Sequence, residues 1–174
     1  MGLVLYSGVA SSKDFMAIEI VGGQLRYVFD VGSGVRVVQP VTPRPVNDNR
    51  WHEVTVVRPS VTQHVLRVDE VDSLDYLPDT RSVHYDLFAD DLYLGGLPRA
   101  MFGSGLVGGL ARQIKSRHGF QGCLASLVLD GVAWKMAESR VQVPEEHRKS
   151  IKEGCVGKIK GFCWFVGWIT DDEY

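Results

Sequence analysis

Two adjacent glycines, Gly22-Gly23, constrain this chain more than any other feature. They lie between two runs of β-forming residues, 14–21 (Asp-Phe-Met-Ala-Ile-Glu-Ile-Val) and 24–31 (Gln-Leu-Arg-Tyr-Val-Phe-Asp-Val). A two-residue type I′ turn needs positive φ at both central positions, which glycine adopts without steric cost. Such a loop sets the pairing, so facing residue numbers sum to 45. Ile20 then faces Leu25, Ile18 faces Tyr27 and Met16 faces Phe29. By the period-2 rule these six share one face, which is expected to be the buried one. Glu19 meets Arg26 on the other face, as an opposite-charge surface pair worth a few tenths of a kcal/mol at most. Asp14 stands opposite Val31 at the open end of the hairpin, a carboxylate beside a backbone carbonyl. Oxygen clusters of that kind suit hard cations such as Ca²⁺, although a carboxylate there can also simply end a strand.

Turn signals recur along the rest of the chain: Asp30 to Gly34, Asn47-Asp48-Asn49, Pro78-Asp79, Gly95-Gly96 and Asp130-Gly131. Short apolar runs separate them, the pattern of an all-β sandwich or barrel. Trp51 to Val57, Val65 to Val68 and Leu92 to Leu94 read as strands. Residues 123–129 and 132–134 read as a second hairpin. Residues 109–118 and 135–150 have room for a helical turn or two. With 174 residues, 45% apolar and 23% charged, the chain has the size and balance of one folded domain. A net charge of -2 offers no global basic field for nucleic acid. No apolar stretch is long enough to span a bilayer and no leader is visible, so membrane contact by this segment is not expected. The three cysteines, Cys123, Cys155 and Cys163, form no C-x-x-C pair. They leave one disulfide plus a thiol, or three thiols, equally open.

Catalytic patterns are lacking. The five histidines (His52, His64, His84, His118 and His147) show no metal-ligand spacing, and His52, placed on a strand, reads as structural. No G-x-S-x-G elbow occurs. The run from Gly103 to Gly108 satisfies G-x-G-x-x-G, but the strand before it and helix after it that a dinucleotide site needs are missing. It reads as a glycine loop. Arg112, Lys115, Arg117 and His118 form a basic cluster able to attract sulfated or acidic glycans, or a solvated loop. Asp69, Glu70, Asp72, Asp75 and Asp79 form an acidic stretch expected to face water.

Five motifs, in order, resemble laminin G-like domains: Gly2-Leu3-Val4-Leu5-Tyr6, Asp14-Phe15, Asn47-Asp48-Asn49-Arg50-Trp51-His52, Leu92-Tyr93-Leu94-Gly95-Gly96, and Gly119-Phe120-Gln121-Gly122-Cys123-Leu124. The wording of the third and fifth looks most like the LNS modules of neurexins. The resemblance implies an all-β jelly-roll sandwich of two antiparallel sheets over residues 1–157, used outside the cell for binding and not for catalysis. It implies a Ca²⁺ site at the rim, with the Asp14 side chain and the carbonyls of Val31 and Tyr85 as ligands. Leu87 stands where an asparagine sometimes helps, so the affinity implied is weak, on the order of 10⁻⁴ to 10⁻³ M. It implies a disulfide between Cys123 and Cys155, worth roughly 3 to 4 kcal/mol by loop-closure entropy, with Cys163 a free thiol. Partners would be cell-surface or secreted proteins, with glycans read by Arg112, Lys115 and Arg117 as the alternative. The parent would be a presynaptic plasma-membrane protein, with this module on its extracellular side. Modules of this family begin a couple of strands before Gly2, so the chain reads as shortened at its N-terminus. Residues 158–174 read as a tail outside the domain.

Overall fold

A computed structural model describes residues 1–8, 14–60, 62–76, 92–98, 101, 114–134 and 162–171, with residues 134 and 162–171 described for the backbone alone. Its strands are β1 (Gly2–Gly8), β2 (Phe15–Val21), β3 (Gln24–Asp30), β4 (Arg36–Val38), β5 (Glu53–Ser60), β6 (Gln63–Val68), β7 (Val71–Tyr76), β8 (Leu92–Leu94), β9 (Gly122–Ala125), β10 (Leu127–Leu129), β11 (Val132–Trp134) and β12 (Phe162–Asp171). The first sheet runs β4-β3-β2-β1-β8. The second runs β11-β10-β12-β5-β6-β7, with β9 also on β12. The two form the expected sandwich. Their ladders are antiparallel except those of β12, which runs parallel to β5, β9 and β10.

The β2–β3 ladder has the expected register from Phe15↔Asp30 through Val21↔Gln24. Gly22 and Gly23 have φ of 61° and 80°, as the turn requires. Asp130 and Gly131, at φ 49° and 73°, close the second hairpin the same way, with Leu129 opposite Val132. Met16, Ile18, Ile20, Leu25, Tyr27 and Phe29 all lie in the core between the sheets, with Val54, Val56, Leu66 and Val68 from the second sheet. A fully buried side chain of this kind contributes about 1.5–3 kcal/mol. Tyr27 and Phe29 also stack at 4.7 Å.

The outer face of the first sheet is buried too. Leu3, Tyr6, Phe15, Ala17 and Val28 form a second apolar cluster under Leu97 and Ile114, with Tyr93 and Met101 against it. A bulge between Leu3 and Leu5 lets β1 serve both cores, Leu3 facing outward and Leu5 inward. Burial beside Tyr93 pushes the Tyr6 phenol up to about 12.

Several expectations are therefore corrected. Glu19 and Arg26 are 0% and 5% exposed, an interior ion pair and not a surface one, because the chain around Leu97 and Ile114 covers that face. Residues 114–118 take no helical turn; their backbone is drawn along the sheet. Residues 109–113 and 135–150 lie outside the described residues. The strand expected from Trp51 starts at Glu53, and Trp51 is 49% exposed. In the second sheet the backbone of β12, residues 162–171, lies between β10 and β5.

Three glycine-bearing segments cross at one edge. A Cβ on Gly119 would stand 2.5 Å from the Gly95 carbonyl oxygen, and one on Gly96 would stand 3.0 Å from the Gly119 Cα. The Phe120 amide donates to the carbonyls of Leu3 and Gly95. The Leu-Gly-Gly and Gly-Phe-Gln-Gly motifs thus mark where three backbones approach too closely for side chains.

Candidate functional site

The β2–β3 register carries Asp14 and Val31 to the same level at the open end of the hairpin, one position beyond Phe15↔Asp30. Asp14 is half-buried and Val31 is buried. The loop beyond β3 is shaped by Asp30, whose Oδ1 accepts the amides of Gly32 and Gly34, each at 3.0 Å. Those glycines have φ of 92° and 94°. The Asp30 carboxylate therefore organises the loop that contains Val31. A carboxylate and carbonyl oxygens are the hard donors that Ca²⁺ takes, so the residues present here fit such an ion. Tyr85 and Leu87 lie outside the described residues. Among the described residues, no group of three or more His, Cys, Asp or Glu gathers in a metal-ligating cluster.

The basic cluster has an unforeseen foundation. Ile114 and Ser116 are buried while Lys115 and Arg117 are exposed, the alternation of an extended segment. The segment is held by Glu19: Oε2 accepts the Ser116 amide at 2.7 Å, and Oε1 accepts from Arg26. Ser116 Oγ donates to the His118 carbonyl at 3.0 Å, and that carbonyl also accepts the Leu3 amide at 2.9 Å. The one hint of this in the sequence is a charged pair flanked on its own face by Phe15, Ala17 and Val28. Arg112 lies outside the described residues. Glu19 is five residues from Asp14 along the chain, or about 17 Å at strand rise, so the rim and the basic segment are separate places.

The Asn-Asp-Asn-Arg-Trp-His motif is a hydrogen-bonded loop. Asp48 Oδ1 accepts the Arg50 amide at 3.0 Å, with Asn49 at φ 64°. His52, 8% exposed, meets Asp48 Oδ1 through Nε2 and Asp69 Oδ2 through Nδ1, both at 2.9 Å. Burial works against its charge, but the bonds to Asp69 and Asp48 outweigh it and hold the imidazole above its ordinary value. The same bond to His52 holds the Asp48 carboxyl below its own.

The acidic stretch is largely paired. Asp69 holds His52, Asp72 grips Arg67, and Asp75 takes Arg36 in a bidentate pair at 2.8 and 2.7 Å. That last pair joins β4 to β7, the edge strands of the two sheets. Asp79 and the Gly103–Gly108 run lie outside the described residues. Cys123 is buried and disulfide-bonded; its partner lies outside the described side chains, as does Cys155.

A two-sheet jelly roll with a glycine crossing at one edge and a carboxylate-bearing loop rim defines a class of binding domain. Residues 1–132 match the family model described as Laminin G domain, and the chain belongs to that family. Within it, the chain is similar to Neurexin-2 of Mus musculus and Homo sapiens, 39% identical over 130 residues, covering 75% of this chain and 7% of the neurexin. It is similar to Neurexin 1 of Drosophila melanogaster, 36% identical over 160 residues, covering 91% of this chain and 8% of that protein. The chain thus spans less than a tenth of the length of these curated relatives. Among solved structures, the LG1-3 region of the laminin alpha2 chain matches at TM-score 0.46 and 27% identity, covering 56% of this chain and 19% of that one.

Proposed function

We propose that this chain is an extracellular adhesion or recognition module that meets cell-surface or secreted proteins with its loop-bearing rim. Asp14 and the carbonyls of Val31 and Tyr85 would hold one Ca²⁺ there. When bound, the ion supplies a positive centre among the loops. The protein contributes the hairpin register, which carries Asp14 to the level of Val31, and Asp30, which shapes the loop between Val31 and Gly34. That register is the observation that carries the reading. The neurexin likeness supports a place on the extracellular side of a plasma-membrane protein, presynaptic by the same likeness. It is a binding and not a catalytic role.

Asp14 brings the one formal charge to this ligand set, and hard cations depend on ligand charge. Asp14→Asn is expected to abolish Ca²⁺ binding in calorimetry while the far-ultraviolet circular dichroism stays unchanged. Val31→Ile is expected to do neither, since only its backbone oxygen takes part. Undiminished Ca²⁺ affinity in Asp14→Asn would rule out the rim site. The exposed, Glu19-anchored pair Lys115 and Arg117 supports a second reading, in which this pair and Arg112 bind sulfated or acidic glycans. Such binding would survive chelation of Ca²⁺ and weaken with salt.

We also propose that Cys123 pairs with Cys155. The backbone of β12 brings Cys163 level with Cys123, so peptide mapping of oxidised protein decides between two partners. Mapping is expected to find Cys123–Cys155 with Cys163 open to alkylation, and a Cys123–Cys163 peptide would overturn the pairing.

A further inference from the structure

The loop of residues 47–52 contains an arrangement that the binding rim does not explain. A neutral imidazole has one N–H and one lone pair, whereas an imidazolium has two N–H donors. Both ring nitrogens of His52 stand 2.9 Å from carboxylate oxygens, and the carboxylates come from different loops. Only the imidazolium can donate to both. We propose that His52 is a proton-operated latch that ties the 47–51 loop, and the exposed Trp51 on it, to the β6–β7 turn.

The charged groups around it set which bond yields. Asp69 is pinned to β5: its Oδ1 accepts the Glu53 amide at 2.9 Å, and its own amide donates to the Glu53 carbonyl at 2.8 Å. Glu70, next in the turn, is exposed. Besides His52, Asp48 is tied among the described residues within its own loop, by the Arg50 amide at 3.0 Å and the Arg50 Nε at 3.7 Å. When the proton leaves, one nitrogen presents a lone pair to a carboxylate. The bond to the pinned Asp69 stays through Nδ1–H, and the Nε2 contact to Asp48 breaks. The loop of Asp48, Asn49, Arg50 and Trp51 then loses this tie to the β6–β7 turn.

The direction in pH follows from linkage. His52 binds its proton more tightly folded than unfolded. The latch is fully closed below the ordinary histidine value of 6.5 and opens as pH rises through the higher folded value. Asp48, held below its ordinary value, stays ionised throughout that range. A module of this kind would hold Trp51 fixed in mildly acidic surroundings and free it in alkaline ones.

Side-chain nitrogen NMR on the whole chain tests this, with His52→Gln assigning the signal among the five histidines. Both ring nitrogens of His52 are expected to be protonated at pH 6, with Nδ1–H alone remaining at high pH. The amides of residues 49–51 are expected to exchange about ten-fold faster once intrinsic exchange is corrected, the loss of one charge-assisted hydrogen bond. Asp48→Asn should lower the His52 titration midpoint and leave loop exchange insensitive to pH. A His52 already neutral at pH 6, or one that titrates without any change in loop protection, would overturn the latch.

Discussion

Glu19→Gln is expected to destabilise the fold by about 3–5 kcal/mol, far beyond the effect of a surface charge. The side chain is fully buried, shared between Arg26 and the Ser116 amide, and screened from water by the chain that carries Leu97 and Ile114. Removing its charge takes the facing carboxylate away from the Arg26 guanidinium, 5% exposed, in a low-dielectric interior. Breaking one side of a buried pair has a cost of that order because the remaining charge keeps its desolvation and loses the opposite charge that offset it. The double change Glu19→Met with Arg26→Met removes both charges, and is expected to recover most of the loss, apart from about 1–2 kcal/mol for the Ser116 amide. Urea unfolding of the three proteins measures this. A loss under 1 kcal/mol in Glu19→Gln would mean that the pair behaves as a solvated one. The double variant has a second readout, because Lys115 and Arg117 flank the amide that Glu19 holds. Hydrogen exchange at Ser116 should rise even where global stability returns.

Acid is expected to unfold this protein earlier than its carboxylates alone would. His64 is fully buried, stacked on Phe29 at 4.0 Å, with Nδ1 3.1 Å from the Tyr27 hydroxyl. Burial, helped by the positive charge of Arg58 and opposed by Asp75, pushes its pKa down from 6.5 to about 3. The unfolded chain takes up a proton below pH 6.5 that the folded chain refuses until about 3. Stability is therefore complete above 6.5 and falls as pH drops through that window, by on the order of 4 kcal/mol at its lower end. His64→Phe keeps a ring against Phe29 and removes the titration. It should lose about 1 kcal/mol at pH 7 for the Tyr27 hydroxyl, yet lose less than the parent between pH 7 and 4.5. Denaturant midpoints at those two values give the comparison. Equal acid slopes in the two proteins would exclude His64 as the source.

His64 also shows how legibility depends on distance along the chain. It stands in phase with Leu66 and Val68, so its inward direction was available from alternation in β6. Ligand spacing among the histidines was the wrong signal to seek. What holds its pKa down is burial, to which the ring of Phe29 from the other sheet contributes by stacking on it. The same contrast runs through the candidate site. Asp14 and Val31 follow from a two-residue loop a few positions away, a local constraint. His52 reads as structural from its neighbours, but its second carboxylate, Asp69, arrives through the β5–β6 pairing.

The sequence by itself determined the β2–β3 hairpin, its register and its inward residues. Positive φ at Gly22 and Gly23 and the period of two are short-range requirements that only a few residues need to satisfy. The tertiary structure alone decided that the opposite face is also buried. Alternation tells which residues share a face, but not whether a segment 70 to 100 positions away will cover it. The covering chain around Leu97 and Ile114 turned Glu19 and Arg26 from an expected surface pair into an interior one, and made Glu19 the anchor of the exposed Lys115 and Arg117. It likewise took the crossing of Gly95, Gly96 and Gly119 to give those glycines their reason, because a steric limit between backbones exists only once the distant backbones have met.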